Sequence, residues 1–323
     1  MLCIYNPSTD AYFNLATEEF LLNYVEDDVF MLWRNEPAVI VGRFQNSLAE
    51  INLDFVNQKN IKVVRRLTGG GAVFHDLGNL NFTFIESQSK GDFRTFTQPI
   101  LEVLHQMGVE ARFEGRNDLM IDGQKFSGNA QCKHNKKTMH HGTLLFATEM
   151  SDLSDALKVN PLKFEDKAVK SVRKRVTNIS SHLQEPMTVS QFADKIMQYI
   201  MHTRSNAVAY QFTEMDLKRI EVLRNEKYAT WDWNFGTSPQ YSYSKMVRTQ
   251  GGNVEIHLQI SKGIIENAKI FGDFFALRDI SDLENVLLNK PHEKEQIRSI
   301  LQEFKVENYL LNITAEDLLN VIF

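Results

Sequence analysis

Arg65-Arg66-Leu67-Thr68-Gly69-Gly70-Gly71-Ala72-Val73-Phe74-His75-Asp76-Leu77-Gly78-Asn79 is the stretch on which the reading of this chain turns. Three consecutive glycines are poor material for a helix or strand interior, because glycine loses the most backbone freedom on folding. They suit a place where the main chain passes close to a ligand and presents N–H groups with no side chain in the way. Arg65 and Arg66 supply fixed positive charge suited to phosphate or carboxylate. Ile61, Val63 and Val64 read as an apolar strand leading in, and Leu80, Phe82 and Phe84 as one leading out. Strand, basic glycine loop, strand predicts an anionic ligand. A bare triple glycine more often marks a solvent-facing turn; the flanking pattern favours the ligand loop. The nucleoside-triphosphatase phosphate loop needs Gly-Lys-Ser/Thr opening a helix, which is missing, and no helix reads as starting at Ala72 to complete a dinucleotide fingerprint.

At 323 residues the chain has room for one large domain or two unequal ones. Hydrophobic content of 43% and charged content of 24% place it among globular proteins. A formal net charge of −5 argues against a general nucleic-acid binder and leaves room for a local basic patch. Cys3 and Cys132 cannot build a disulfide framework, which suits a reducing cytosol. Met1-Leu2-Cys3-Ile4-Tyr5-Asn6-Pro7 has no basic region ahead of an apolar stretch, so it does not read as a signal peptide. No apolar run approaches the roughly 18 residues of a membrane span. The expectation is a soluble cytoplasmic protein with neither a nucleic-acid nor a membrane partner.

Along the chain, a strand at Leu2–Tyr5 precedes a helix capped by Thr9 or Asp10 and running to Tyr24. Strands follow at Val29–Trp33 and Ala38–Gly42, helices at Thr97–Met107 and Val189–Thr203, and a strand at Met139–Thr148. Thr213 caps a helix to about Leu223. Gly236-Thr237-Ser238-Pro239-Gln240 reads as a linker. Beyond it, Val254, Ile256, Leu258 and Ile260 alternate with Asn253, Glu255, His257 and Gln259, the pattern of a half-buried antiparallel strand. Gly263 turns it into a strand at Ile264–Phe271. Helices are predicted at Asp282–Leu288, Lys294–Phe304 and Ala315–Val321, the last with a capping-box start at Thr314 and Asp317.

The glycine stretch closely resembles the signature of lipoate–protein ligases. Further resemblances lie at Gly115–Ala130, which looks like the family's lysine motif, at His140-His141-Gly142-Thr143, at the basic run Lys170–Asn178 and at Trp233-Asn234-Phe235-Gly236. Five ordered matches over most of the chain are specific where any single one is not. The resemblance implies an α/β (α+β) fold, with mixed and antiparallel sheets packed with helices. A biotin/lipoate-ligase-like catalytic domain would span 1–244 and a small α/β accessory domain 248–323. It implies that lipoate and ATP with Mg²⁺ form lipoyl-adenylate and pyrophosphate. The lipoyl group then passes to a lysine of a lipoyl domain, in a 2-oxoacid dehydrogenase E2 subunit or a glycine-cleavage H-type protein.

Acyl-adenylate formation holds two anions together, so fixed cations and aligned N–H dipoles are needed. Lys125 is the chief catalytic candidate: it follows the expected hairpin turn Asp122-Gly123-Gln124 and lies inside the lysine motif. A lone lysine is normally a solvated surface group; its place in the motif reverses that ranking. Carried over from the resemblance, Arg66, Gly71, Ala72, Val73, Phe74, Asn79, Asp118 and Lys125 contact ATP or the adenylate, with the Gly71–Phe74 contacts through the backbone. Gly70, His141 and Lys125 contact lipoate. Arg65 reads as structural. Asp118 either positions a Mg²⁺ held through phosphates or fixes Lys125, with a turn-forming role weighed equally. No spacing of His75, His140 and His141 matches a zinc site; His75 reads as a structural hydrogen-bonder, and His141 as packing ahead of general base. Lys158–Arg175 holds seven Lys/Arg against two Asp/Glu, a run that is usually a solvated face; because it spans the stretch that resembles the family's basic loop, the resemblance implies a loop closing over the adenylate. The rival readings are a thioester-forming octanoyl or lipoyl transferase using Cys132, whose thiol Lys133, His134, Lys136 and Lys137 would acidify, and a non-catalytic binder of lipoyl-adenylate or lipoyl domains.

Overall fold

The structure is a computed structural model that describes residues 1–45, 47–87, 92–157, 176–235, 243–261, 264–292 and 294–323. The predicted linker and most of the basic run lie outside the described residues.

Val29–Trp33 and Asn79–Ser87 are buried on both faces for nearly their whole length, so the sheet they pair into is covered on each side. Eight strands are involved: β1 (Leu2–Tyr5), β2 (Val29–Trp33), β6 (Asn79–Ser87), β7 (Ala111–Glu114), β8 (Asp118–Ile121), β9 (Gln124–His134), β10 (Lys137–Leu145) and β11 (Val208–Ala209). Their order is β11-β1-β2-β6-β10-β9-β8-β7. β1 runs parallel to β2 and β11, and the other pairs are antiparallel. On one face Phe30, Phe82, Phe84 and Leu144 pack with the helices Phe93–Gln106 and Val189–Thr203. On the other, Met31, Trp33, Ile85 and Met139 pack with the helix Ala11–Tyr24.

A small sheet of β3 (Ala38–Val41), β4 (Lys62–Arg65) and β5 (Val73–His75) lies in the order β4-β3-β5. The glycine loop is the crossover from β4 to β5, so it must arch over the end of β3. Gly42 sits at that point: a Cβ there would lie 2.0 Å from the Gly70 carbonyl oxygen. Only a residue without a side chain permits this approach.

The C-terminal sheet pairs β12 (Tyr243–Thr249), β13 (Gly252–Ser261) and β14 (Ile264–Gly272) antiparallel. Its apolar face packs on helices Ile280–Leu287, Lys294–Phe304 and Ala315–Ile322 in a core of its own. Tyr243–Thr249 is one strand of that sheet, so the ranges 1–244 and 248–323 would cut it; we assign the C-terminal unit from Tyr243. The two units touch at the glycine loop, where the Gly70 N–H donates to the Phe274 carbonyl at 3.1 Å. Phe44 stacks on Phe274 at 5.1 Å.

Local chemistry set most element ends as read. Asp10 caps the first helix, and capping boxes start the helices after Thr188, Thr213 and Thr314. Three expectations shift, the smallest being the helix expected at Asp282–Leu288, which spans Ile280–Leu287 behind an Asp279 cap. The helix expected at Thr97–Met107 begins at Phe93, because the Asp92 carboxylate accepts from the Thr95 N–H a turn earlier. The strand expected at Met139–Thr148 spans Lys137–Leu145, since pairing with Asn79–Ser87 ends at Leu145.

Candidate active site

The geometry of Lys125 comes from a β-bulge. Asp118 pairs with Gly128 and Leu119 with Ser127, but Met120 pairs with Lys125, leaving Phe126 as an extra residue on β9. Strict alternation with Gly128 and Ala130 would send Phe126 to the cleft and Lys125 into the core. The bulge inverts that parity. Phe126 is fully buried in the core beside Phe82 and Phe84. Lys125 lines the cleft with Gly128, Ala130 and the loop residues Gly70 to Val73, around about 640 Å³ of space open to solvent. The hairpin turn behind it is as read from sequence, with Asp122 and Gly123 both left-handed at φ 50° and 73°.

Lys125 Nζ lies 2.8 Å from Asp118 Oδ1, and both side chains are 37% exposed at the cleft mouth. Asp118 is held by a reciprocal pair: the Asn129 N–H donates to the Asn117 carbonyl at 3.0 Å, and Asn117 Nδ2 donates to the Asn129 carbonyl at 2.6 Å. The Thr177 N–H donates to the Lys125 carbonyl at 2.9 Å, which ties Thr177 beside Lys125.

Both arginines are buried, and they do different work. Arg65 donates to the carbonyls of Gly42, Arg43, Gln45, Trp233 and Asn234 and to Ser47 Oγ, which makes it a structural brace. Arg66 lines the cleft, yet its N–H groups go to the carbonyls of Ile40, Gly69 and Gly71 and to Thr68 Oγ1. In this structure Arg66 moulds the glycine loop, and a phosphate contact would have to displace one of those bonds. Burial pulls each guanidinium down to about 10, which leaves both cationic at neutral pH.

Of the other expected contacts, Ala72 and Val73 line the cleft, whereas the Phe74 side chain is buried in the small sheet's core, which leaves only its main chain for the expected contact. Asn79 is fully buried one step behind the cleft and donates from Nδ2 to Asn81 Oδ1 at 2.9 Å. His141 lines the cleft, and its Nε2 is 2.7 Å from Thr68 Oγ1. Asn35 donates to His75 Nδ1 at 3.0 Å; burial drives His75 down to about 3, so the ring is neutral. His140 is a core histidine: it stacks on Phe96 at 5.0 Å, and burial holds it well below its ordinary range.

Cys132 weighs against the rival thioester reading. It lines a different recess, with Leu22, Arg43 and Lys133. Burial pushes its thiol up to about 12, the opposite of the acidification expected from the neighbouring cations. Among the described residues, no three His, Cys, Asp or Glu side chains converge on an ion site. No helix among them is long and apolar enough to cross a membrane.

Sequence reading singled out neither Glu18, Asn81 nor Trp33. Glu18 had a signal: it stands three residues from Leu15 and from Leu21, on the apolar stripe of its helix.

A basic glycine loop facing a lysine–carboxylate pair across a cleft defines an enzyme that brings anionic reactants together. Residues 10–201 match the family of the lipoyl protein ligase A/B catalytic domain, and residues 238–322 the bacterial lipoate protein ligase C-terminus. The Bacillus subtilis lipoate-protein ligase LplJ is 42% identical over 331 aligned positions, covering 100% of both chains. The solved structure of P. falciparum LipL1 in complex with lipoate matches with a TM-score of 0.81 at 25% identity, over 99% of this chain and 97% of that one. A lipoate-protein ligase A structure bound with ATP matches with a TM-score of 0.63 at 26% identity, over 73% of this chain and 98% of that one. The chain belongs to the lipoate–protein ligase family.

Proposed function

We propose that this enzyme condenses lipoate with ATP to lipoyl-adenylate and pyrophosphate, and then transfers the lipoyl group to the ε-amine of one lysine on an acceptor lipoyl domain. The observation that carries the reading is the bulge that aims Lys125 into the cleft, beside Asp118 and opposite the glycine loop.

In the first step a lipoate carboxylate oxygen attacks the α-phosphorus and pyrophosphate leaves with the electrons of the P–O bond. Negative charge gathers between two anions, where an ammonium is most useful. Lys125 sits to bridge the carboxylate and the α-phosphate, and Asp118 holds its Nζ at the mouth. The main chain of Gly71 to Phe74 offers dipoles to the adenylate. Gly70 and His141 border the apolar side of the cleft with Leu15, Trp33 and Ile40, a surface suited to the acyl chain. In the second step the acceptor amine attacks the acyl carbon. The C–O bond to AMP breaks, and the amine proton goes to solvent.

Asp118 is a half-exposed carboxylate at the mouth of this cleft, which fits a Mg²⁺ that arrives on the ATP phosphates. When bound, such an ion neutralises phosphate charge. The acceptor class is the lipoyl domain of a 2-oxoacid dehydrogenase E2 subunit or a glycine-cleavage H-type protein. The reading is tested by lipoate-dependent ATP–pyrophosphate exchange, followed by mass spectrometry of an added lipoyl domain. Exchange without lipoate, or no lipoyl mass on the acceptor lysine, would overturn it.

A further inference from the structure

Glu18 is a carboxylate 1% exposed in the middle of a helix, with no lysine or arginine paired to it among the described residues, and the chemistry described above does not use it. Its oxygens face His141 Nδ1 at 2.9 and 3.0 Å. Thr83 donates its hydroxyl proton to Glu18 Oε1 at 2.6 Å and accepts from Trp33 Nε1 at 2.9 Å. On the far side of the imidazole, His141 Nε2 meets Thr68 Oγ1 at 2.7 Å, and that oxygen accepts from Arg66 Nε at 3.0 Å.

One set of directions satisfies every group in the chain. With the Thr68 oxygen accepting from Arg66 Nε, its own O–H donates to His141 Nε2. His141 then donates from Nδ1 to Glu18. Each threonine hydroxyl gives one bond and accepts one, and the chain runs toward Glu18 from both ends. Only a group that accepts from both sides fits that terminus. Arg66 is where the chain enters the glycine loop, because its remaining donors hold the carbonyls of Gly69 and Gly71. Polar groups so deeply buried are costly to leave unpaired, so a break at one end propagates.

We infer that Glu18 is a positioning residue for acyl activation: through His141 and Thr68 it sets the Arg66 guanidinium and hence the glycine loop that faces Lys125. The inference rests on the ligase reading. Glu18→Gln keeps the shape but puts an N–H where only an acceptor fits. Either the His141 tautomer inverts and the Thr68 O–H loses its acceptor, or the bond at His141 Nδ1 is lost. Thr68→Val removes the link from the loop side, while Thr68→Ser keeps the hydroxyl.

The test measures kcat and KM for lipoate-dependent ATP–pyrophosphate exchange per folded enzyme, with the adenylate burst as the active-site count. Glu18→Gln and Thr68→Val are each expected to lower kcat on the order of tenfold or more, as misplacement of reacting groups does. Thr68→Ser should stay close to wild type. The double variant Glu18→Gln/Thr68→Val should be no slower than the worse single variant, because both cut one chain. Losses that multiply, or a folded Thr68→Val enzyme at the wild-type rate, overturn the inference. If Glu18→Gln does not fold, the Val-against-Ser comparison at Thr68 decides alone. A wild-type protein inert with lipoate and ATP sinks the ligase reading; an active wild type with unaffected variants sinks only the role of Glu18.

Discussion

Replacing Lys125 by alanine should separate chemistry from stability. The ion pair to Asp118 is short, at 2.8 Å, but each side chain is 37% exposed, and pairs so open to solvent contribute only about 0–1 kcal/mol. The bulge is fixed by backbone pairing and by Phe126 in the core, neither of which needs the ammonium. Lys125→Ala should therefore melt within about 4 °C of wild type, the scale set by ~1 kcal/mol in a domain of this size. The rate of adenylate formation should fall by roughly 10²–10³, the usual cost of removing one preorganised charge-stabilising donor, or about 2.7–4 kcal/mol of barrier. Calorimetry gives the first quantity, and lipoate-dependent pyrophosphate exchange with direct detection of lipoyl-AMP gives the second. A folded Lys125→Ala enzyme that makes lipoyl-AMP at the wild-type rate would refute the assignment. So would a loss of activity matched by a loss of fold, since the residue would then be acting through stability.

Three further outcomes are expected. Cys132→Ser should leave acyl transfer unchanged, because the thiol lies off the cleft and is held near 12; abolished transfer would revive the thioester route. Gly42→Ala puts a Cβ 2.0 Å from the Gly70 carbonyl, so it should destabilise by about 1–3 kcal/mol and impair exchange, and a variant with wild-type stability and rate would contradict the loop crossing. Buried His75, near 3 when folded against an ordinary 6.5, resists protonation that the unfolded chain accepts. The unfolded state thus binds more protons between those values, and stability should fall as pH drops through that window. Urea midpoints at pH 7 and pH 5 should differ less in His75→Gln than in wild type, and equal differences would rule out this contribution.

Much of the local structure was legible because it is fixed by neighbours in sequence. Thr188 with Gln191, Thr213 with Asp216 and Thr314 with Asp317 each satisfy the first free N–H groups of a helix within four residues, so their starts could be read directly. Alternation in Asn253–Ile260 likewise gave a strand buried on one face. The start of the helix at Phe93 was missed because Pro99 and a run of polar residues hide the periodicity that Asp92 restores by capping.

The chemistry-bearing residues were legible as types and not as geometry. The order of motifs named Lys125, Arg66 and the glycines, and the family they belong to. Only three-dimensional pairing could invert the parity of β9 at Phe126 and turn Lys125 to the cleft. Only burial could divide two adjacent arginines into a brace and a loop-former, or place Cys132 in a recess apart from the cleft with its thiol held protonated. A strand's alternation and a helix's cap are decided by residues a few positions apart, so the chain itself contains them. The facing direction of a bulged residue, and the partners of a buried charge such as Glu18, are set by groups 65 and 123 positions away, at Thr83 and His141, which meet only when the fold closes.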